Sequence, residues 1–416
     1  MHSILIARQP IFDPHLETIG YELRYGRPAA RAEPATAQEA QRFLDVVLDL
    51  GLDTLVGTRL AIVALPPAIL TTVLPDLAPM LPLDRLVLSV TPQQLRDAEI
   101  GEALRRSVTL GCRILLNLSA DDAVTASLLA DVDVVRLSLR HPHPGGEQRG
   151  PLERWLALRL AECASWRPRG LRVLVADVRD YQEFARARAL GADLFQGDFL
   201  FRPLHLRARR QPVSQAALLL LARLNHPSLD FEEVEHLLAQ DVQLTYRLLK
   251  LVNAVWFARR TRVESLRQAL LVLGLRNVTA WVTISVLAGV ERKPVELVRA
   301  ALVRARMCEL VAGALGMAPR ETAFLTGLLS VIDAALDIPL PEALAALPVT
   351  DEVADALLSS RGALGTVLAA VRSYEFGDWS ALQPLPLPIA PELLTEAFIE
   401  ALAFAAEALA ALELTP

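Results

Sequence analysis

The sequence predicts two folds in one chain: a TIM-like (β/α) barrel over residues 1–203 and an all-helical, α-only domain over residues 213–416, joined by a linker at 204–212. Three observations predict this. Through the first half, short β-branched runs alternate with helix-like stretches, the pattern of a parallel sheet with helical crossovers. The first two runs are separated by FDPHLE, too short for a parallel crossover, so they form an antiparallel strand pair. After Pro212 no strand pattern appears and helical periodicity takes over.

The candidate strands are, in order, SILIARQP, TIGYELRY, RLAIVAL, RLVLSV, RILLNL, DVVRLSL, LRVLVAD and DLFQG. Amphipathic segments such as AQEAQRFLDVVLDLGL and DYQEFARARALG lie between many of them. Eight strands with helical crossovers favour a closed barrel over an open doubly wound sheet. The linker LHLRARRQP is polar and basic and reads as a solvated connector, with Arg207, Arg209 and Arg210 as a phosphate patch the weaker reading. Beyond it, SQAALLLLARL, FEEVEHLLAQ, VQLTYRLLKLVNAVWF and SLRQALLVLGL have helical spacing. In the last long helix Glu396, Glu400 and Glu407 share a stripe, leaving Leu393, Leu394 and Phe398 for burial.

Composition excludes several classes. A formal net charge of −6 leaves no electrostatic footprint for DNA or RNA. Cys112, Cys163 and Cys308 form no CxxC, which fits a reducing compartment better than a disulfide frame or zinc site. MHSILIARQPIF lacks a basic signal-peptide region, and the most apolar stretch, residues 278–290, is too short for a membrane span. The expectation is a cytoplasmic protein with no membrane insertion. Lys250 and Lys293 are the only lysines, so residues 1–249 offer no lysine chemistry.

In a barrel of this class the chemistry sits at the C-terminal ends of the strands. Those ends offer Glu22, Ala64, Ser89, Asn117, Arg136, Ser138, Asp177, Gln196 and Asp198. Metal-assisted phosphodiester hydrolysis needs several converging oxygen ligands, and this set is thin in carboxylates. Asp121 and Asp122 follow Asn117-Leu118-Ser119 and read as caps for the next helix.

ARQPIF (7–12), GYELRY (20–25) and DLFQGDFLFRP (193–203) resemble the opening and closing signatures of the EAL family, which hydrolyses cyclic di-GMP. The resemblance implies that Glu22 matches a metal-binding glutamate, followed by Arg24 in place of leucine and Gly26 in place of a phosphate-binding arginine, with Arg27 beside it. It implies further that Ala64 and Ser89 stand for a metal-binding asparagine and glutamate. Asn117 and Leu118 stand for paired aspartates, and Arg136 and Ser138 for a lysine and an aspartate. The late glutamates fall near Ala176 and Arg179, and Gln196 matches the terminal glutamine. An arginine cannot replace lysine as a titrating group.

In the second half, QDVQLTYRLLKLVNAVWF…VESLRQALLVLGLRNV, RARMCELVA and AFLTGLLSVID resemble the HDOD domain, a relative of metal-dependent HD phosphohydrolases. Ser330 and Val331 follow GLL where the resemblance implies a histidine–aspartate pair, and no histidine occurs after His236. Arg304, Arg306, Glu309 and Asp333 form a candidate ionic network in its place, with ordinary surface charge as the alternative. His141 and His143 supply at best half a metal site, and His2, His15, His205, His226 and His236 show no ligand spacing.

Together these readings predict a catalytically inactive EAL–HDOD signalling adaptor, not an enzyme, with no cofactor, no metal and no catalytic residue. It would act through protein partners or as a homodimer in second-messenger, motility or attachment control. The sequence counts against cyclic di-GMP binding and leaves Gln9, Glu22 and Gln196 as vestigial ligand-pocket positions. Two alternatives remain: a non-hydrolysing cyclic di-GMP sensor using those three residues, with Arg8, Arg24, Arg27 and Arg136 as phosphate partners, and an active phosphodiesterase with unusual ligands.

Overall fold

The computed structural model describes residues 4–27, 35–119, 122, 125–140, 149–204, 234, 265, 267–271, 274, 294–317, 319–345, 349–382 and 385–411. The linker after residue 204, the His141/His143 loop and most of the segment 213–293 lie outside the described residues.

Eight strands close a barrel in sequence order. They are β1 (Leu5–Phe12), β2 (Thr18–Gly26), β3 (Leu60–Val63), β4 (Leu86–Val90), β5 (Arg113–Leu118), β6 (Val134–Ser138), β7 (Arg172–Val178) and β8 (Leu194–Gly197). β1 runs antiparallel to both β2 and β8, and the other neighbours are parallel. The short β1–β2 loop dictates the first pairing, as expected.

Alternation along the strands sends one set of side chains inward. Ile11, Ile62, Val87, Leu115, Val134, Leu174 and Leu194 form one buried cluster from seven strands, an apolar floor across the barrel. Local chemistry fixes where the outer helices begin. Thr36 and Glu39 make a reciprocal capping box for the helix Ala37–Leu50, which buries Phe43, Leu44 and Val47. Asp97 and Asp180 cap the helices Ala98–Thr109 and Tyr181–Ala189 through their carboxylates. Asp122 does not cap forward: its carboxylate accepts from the Ser119 backbone N–H at 2.8 Å and the Ser119 hydroxyl at 2.7 Å, closing the turn behind it.

The chain divides into two compact units, Met1–Leu200 with Tyr374–Gln383, and Phe201–Ser373 with Pro384–Pro416. In the second unit the regular elements among the described residues are helices. The helix Val295–Ala314 packs against Arg320–Leu329 and Pro391–Ala411. Leu394 and Phe398 are buried and Glu396, Glu400 and Glu407 exposed, as the periodicity predicts, while Leu393 is half-buried and Leu402 joins the buried face. Close approach of the first two helices depends on Gly327, where a Cβ would lie 2.7 Å from Ala305 Cα. Gly327→Ala is expected to lower stability by about 1–3 kcal/mol through overpacking. Thermal denaturation checks it; an unchanged midpoint would show that the two helices part without cost.

Candidate functional site

Two residues beyond the floor, towards the C-terminal ends of the parallel strands, each strand presents its next inward position. These are Gln9, Ala64, Ser89, Asn117, Arg136, Ala176 and Gln196, with Glu22 opposite Gln9 across the β1–β2 ladder. The apolar floor therefore gives way to a polar mouth.

Its centre is Glu22. One carboxylate oxygen takes Arg136 Nη1 at 2.5 Å, and the other accepts from Gln196 Nε2 at 2.8 Å and Arg24 Nη2 at 3.4 Å. The side chains of Glu22 and Arg136 are 13% and 14% exposed. Burial alone would push the Glu22 carboxyl up. Arg136 and then Arg24, with the hydrogen bonds from Arg136 and Gln196, outweigh it and hold the group at about 2. On Arg136, burial acts to lower the pKa, but Glu22 and then Asp177 more than offset it and the value rises.

Sequence reading missed how Asp177 joins this group. The β7–β8 register shifts between Val175 and Val178, and Asp177 has a φ of 61° within that irregularity. Its carboxylate accepts a hydrogen bond from the Ser138 hydroxyl, within Coulombic range of Arg136. A left-handed non-glycine residue at such a place is strain held by its surroundings. No periodicity of two predicts it, because a bulge changes which side chains face inward.

The other expected positions divide. Gln196 Nε2 meets Gln9 Oε1 at 3.4 Å, so Gln9, Glu22 and Gln196 stand together. Gln196 is 2% exposed, and its Oε1 has no hydrogen-bond partner among the described residues. Asn117 donates to the Ser89 hydroxyl at 2.8 Å and the Val90 carbonyl at 3.1 Å. Of the four candidate phosphate partners, Arg24 and Arg136 are at the mouth. Arg8 stacks on the Tyr21 ring and reaches the Leu55 carbonyl, and Arg27 pairs with Glu39 at 2.5 Å.

Divalent ions, implied by the EAL resemblance, need several converging hard oxygen ligands. Among the described residues no group of three or more His, Cys, Asp or Glu stands close enough to hold one. The carboxylate best placed, Glu22, already carries a guanidinium at 2.5 Å. The residues present do not fit a divalent ion, and no step is routed through one below.

In the helical unit, Ser330 occupies the end of GLL and is buried. Its hydroxyl accepts from Arg304 Nη1 at 3.3 Å and its carbonyl from Arg372 Nη2 at 2.9 Å. Arg304 is 2% exposed, with its guanidinium 4.5 Å from the Phe201 ring. Burial raises the Asp333 pKa, against backbone hydrogen bonds and the pull of Arg372 and Arg304. The candidate ionic network thus separates into two: Arg304 lies with Ser330 and Asp333, while Arg306 pairs with Glu309 at 2.7 Å and with Glu400.

The HDOD domain family matches residues 211–348. Cyclic di-GMP phosphodiesterase CdgJ of Vibrio cholerae is 30% identical over 390 residues, covering 92% of this chain and 87% of its own. The chain belongs to the EAL–HDOD family. A second relative, the uncharacterized protein YuxH of Bacillus subtilis, is 25% identical over 96% of this chain and 97% of its own. Among solved structures, a calcium/cyclic di-GMP complex of BlrP1 from Klebsiella pneumoniae matches 49% of this chain and 56% of its own. It is 20% identical, with a TM-score of 0.38. An EAL domain protein from Listeria monocytogenes matches 49% of this chain and 89% of its own, at 17% identity and a TM-score of 0.36.

These relations correct three expectations. A catalytically inactive adaptor, a chain that is no enzyme and a barrel that shuns cyclic di-GMP are all overturned by the relation to CdgJ, a named cyclic di-GMP phosphodiesterase that matches nearly end to end. The physical reason for the error lies in the strand ends. Taken one at a time the strand ends are thin in carboxylates, whereas the bulge brings Asp177 towards Arg136 beside Glu22. No helix among the described residues is long and apolar enough to cross a membrane.

Proposed function

We propose that this chain acts on cyclic di-GMP as a phosphodiesterase, with the dinucleotide seated at the polar mouth of the barrel and the protein working in the cytoplasm. The relation to CdgJ supports the substrate class. The observation in the site that carries the reading is the buried Oε1 of Gln196, which has no hydrogen-bond partner among the described residues. A buried acceptor without a donor costs about 1–3 kcal/mol, and a ligand that brings an N–H or O–H removes that cost. Guanine and ribose both carry such donors. Arg24, 36% exposed along its side chain and bonded to Glu22 and to the Phe376 carbonyl, is the guanidinium at the mouth that a phosphate would engage by displacing the carbonyl. Gln9 lies beside Glu22 as a second amide. Arg136 neutralises the buried Glu22 carboxylate and fixes its orientation, so that the pair adds little repulsion towards the anionic phosphates of the ligand. The three buried cysteines suit the reducing compartment.

The test is product analysis after incubating the full chain with cyclic di-GMP, in chelator and separately in millimolar magnesium or manganese. Linear dinucleotide is expected from wild type. Asp177→Asn keeps a residue that tolerates the left-handed backbone and removes the charge beside Arg136; it is expected to lower turnover about tenfold or more while retaining the fold. Absence of product in every condition contradicts the phosphodiesterase reading.

A further inference from the structure

The barrel's unit includes a second stretch of chain, Tyr374–Gln383, far from the strands in sequence. It follows directly on the helix Gly362–Glu375, whose last two residues it shares, and it touches the same side chains that define the mouth. Gln9 Nε2 donates to the Phe376 carbonyl at 3.0 Å, and Arg24 Nη1 donates to the same oxygen at 3.3 Å. The register between β1 and β8 pairs Phe12 with Phe195. Further up β1, the Ile6 backbone N–H donates to the Tyr374 hydroxyl at 3.2 Å. At Gly377 the backbone has a φ of 67°, and a Cβ there would lie 2.9 Å from Arg24 Cδ. Trp379 packs on Gly26, the last residue of β2, where a Cβ would meet the indole at 2.9 Å.

We propose that residues 374–382 are a strap that closes the barrel mouth from within the same chain, holding Gln9 and Arg24 through one backbone carbonyl, and that it must leave for cyclic di-GMP to reach Glu22. This rests on the reading of the mouth as the dinucleotide site. A carbonyl oxygen that accepts from an amide and a guanidinium together stands where an anionic oxygen of a ligand would stand. Strap and ligand therefore compete for the same donors.

The closed seat is built to open. Trp379 Nε1 is buried in it without an acceptor among the described residues, a cost of about 1–3 kcal/mol that release to water removes. The left-handed backbone at Gly377 favours glycine, and any side chain there would press on Arg24, so closure depends on that glycine. Displacing an occupant closed about nine-tenths of the time weakens apparent ligand affinity about tenfold, and a variant that frees the mouth recovers that factor.

Hydrogen exchange and equilibrium binding on the full chain test this with two variants outside the polar mouth, Trp379→Ala and Gly377→Val. Without ligand, both are expected to speed exchange in the peptides covering 374–382 and at the Ile6 amide. Both are expected to bind labelled cyclic di-GMP about three- to tenfold more tightly than wild type. In wild type, saturating cyclic di-GMP is expected to speed exchange in 374–382. If wild type binds the dinucleotide with exchange in 374–382 unchanged or slowed, the strap proposal is overturned and the mouth reading survives. Should neither wild type nor either variant bind, the mouth reading fails and takes the strap proposal with it.

Discussion

Arg136→Met is expected to cost about 3–5 kcal/mol of stability at neutral pH, because it leaves the buried Glu22 carboxylate without its main counter-charge. Methionine has similar length and no charge, so the loss reports the pair and not a cavity. The pH dependence identifies the cause. With its folded pKa held at about 2, Glu22 contributes stability that is fully present above the ordinary carboxylate range and lost as pH falls from about 4.5 towards 2. The gap between wild type and Arg136→Met should therefore be widest at neutral pH and narrow through that acid window. The double variant Glu22→Gln with Arg136→Met should recover most of the loss, since it removes both charges together. Urea denaturation at pH 7 and near pH 3 measures all of this. An equal gap at both pH values would show that packing around residue 136, and not the ion pair, carries the effect.

Gly197→Ala is the second large effect. Gly197 ends β8 against the irregular part of β7, and a Cβ there would overlap the Val178 carbonyl oxygen and lie 2.6 Å from the Val178 backbone nitrogen. Both obstacles are backbone, so no side-chain rotation relieves them. The expected cost is about 3 kcal/mol or more, at the upper end for overpacking. Gly170→Ala supplies the comparison: its backbone is left-handed with φ 92° and ψ 1°, nothing lies within 4 Å of its Cβ position, and it should cost only about 1–2 kcal/mol of backbone strain. Because Val178 adjoins Asp177, Gly197→Ala should also disturb the Asp177–Ser138 contact and lower turnover more than its stability loss explains. Equal costs for the two glycine variants would mean that the β7–β8 seam moves freely.

The barrel was legible because its signals are local. Alternation in runs such as RLVLSV and RILLNL, Asp97 and Asp180 ahead of helices, and the short loop before Thr18 each act within a few residues. The strand-end rule likewise led to Glu22 and Gln196, which do meet at 2.8 Å. What escaped depends on longer range. The bond from Arg136 to Glu22 spans 114 positions in the chain, and that from Gln9 to Phe376 spans 367. Asp177 enters through a bulge, which breaks the alternation from which inward positions are read. Counting replaced ligands says what a familiar site has lost, and it does not register the polar group that Arg136, Ser138 and Asp177 form at the same strand ends.

Equilibrium binding of labelled cyclic di-GMP to wild type and to Ala64→Trp tests the role of the mouth most directly. Ala64 is exposed, two residues beyond the floor residue Ile62, and makes no part of the Glu22–Arg136 pair. An indole at that position should fill the mouth at little cost to folding. Saturable binding by wild type, weakened tenfold or more in Ala64→Trp with the thermal midpoint unchanged, is the predicted result. Equal binding by the two proteins, or none by wild type, would contradict the assignment of cyclic di-GMP to this end of the barrel.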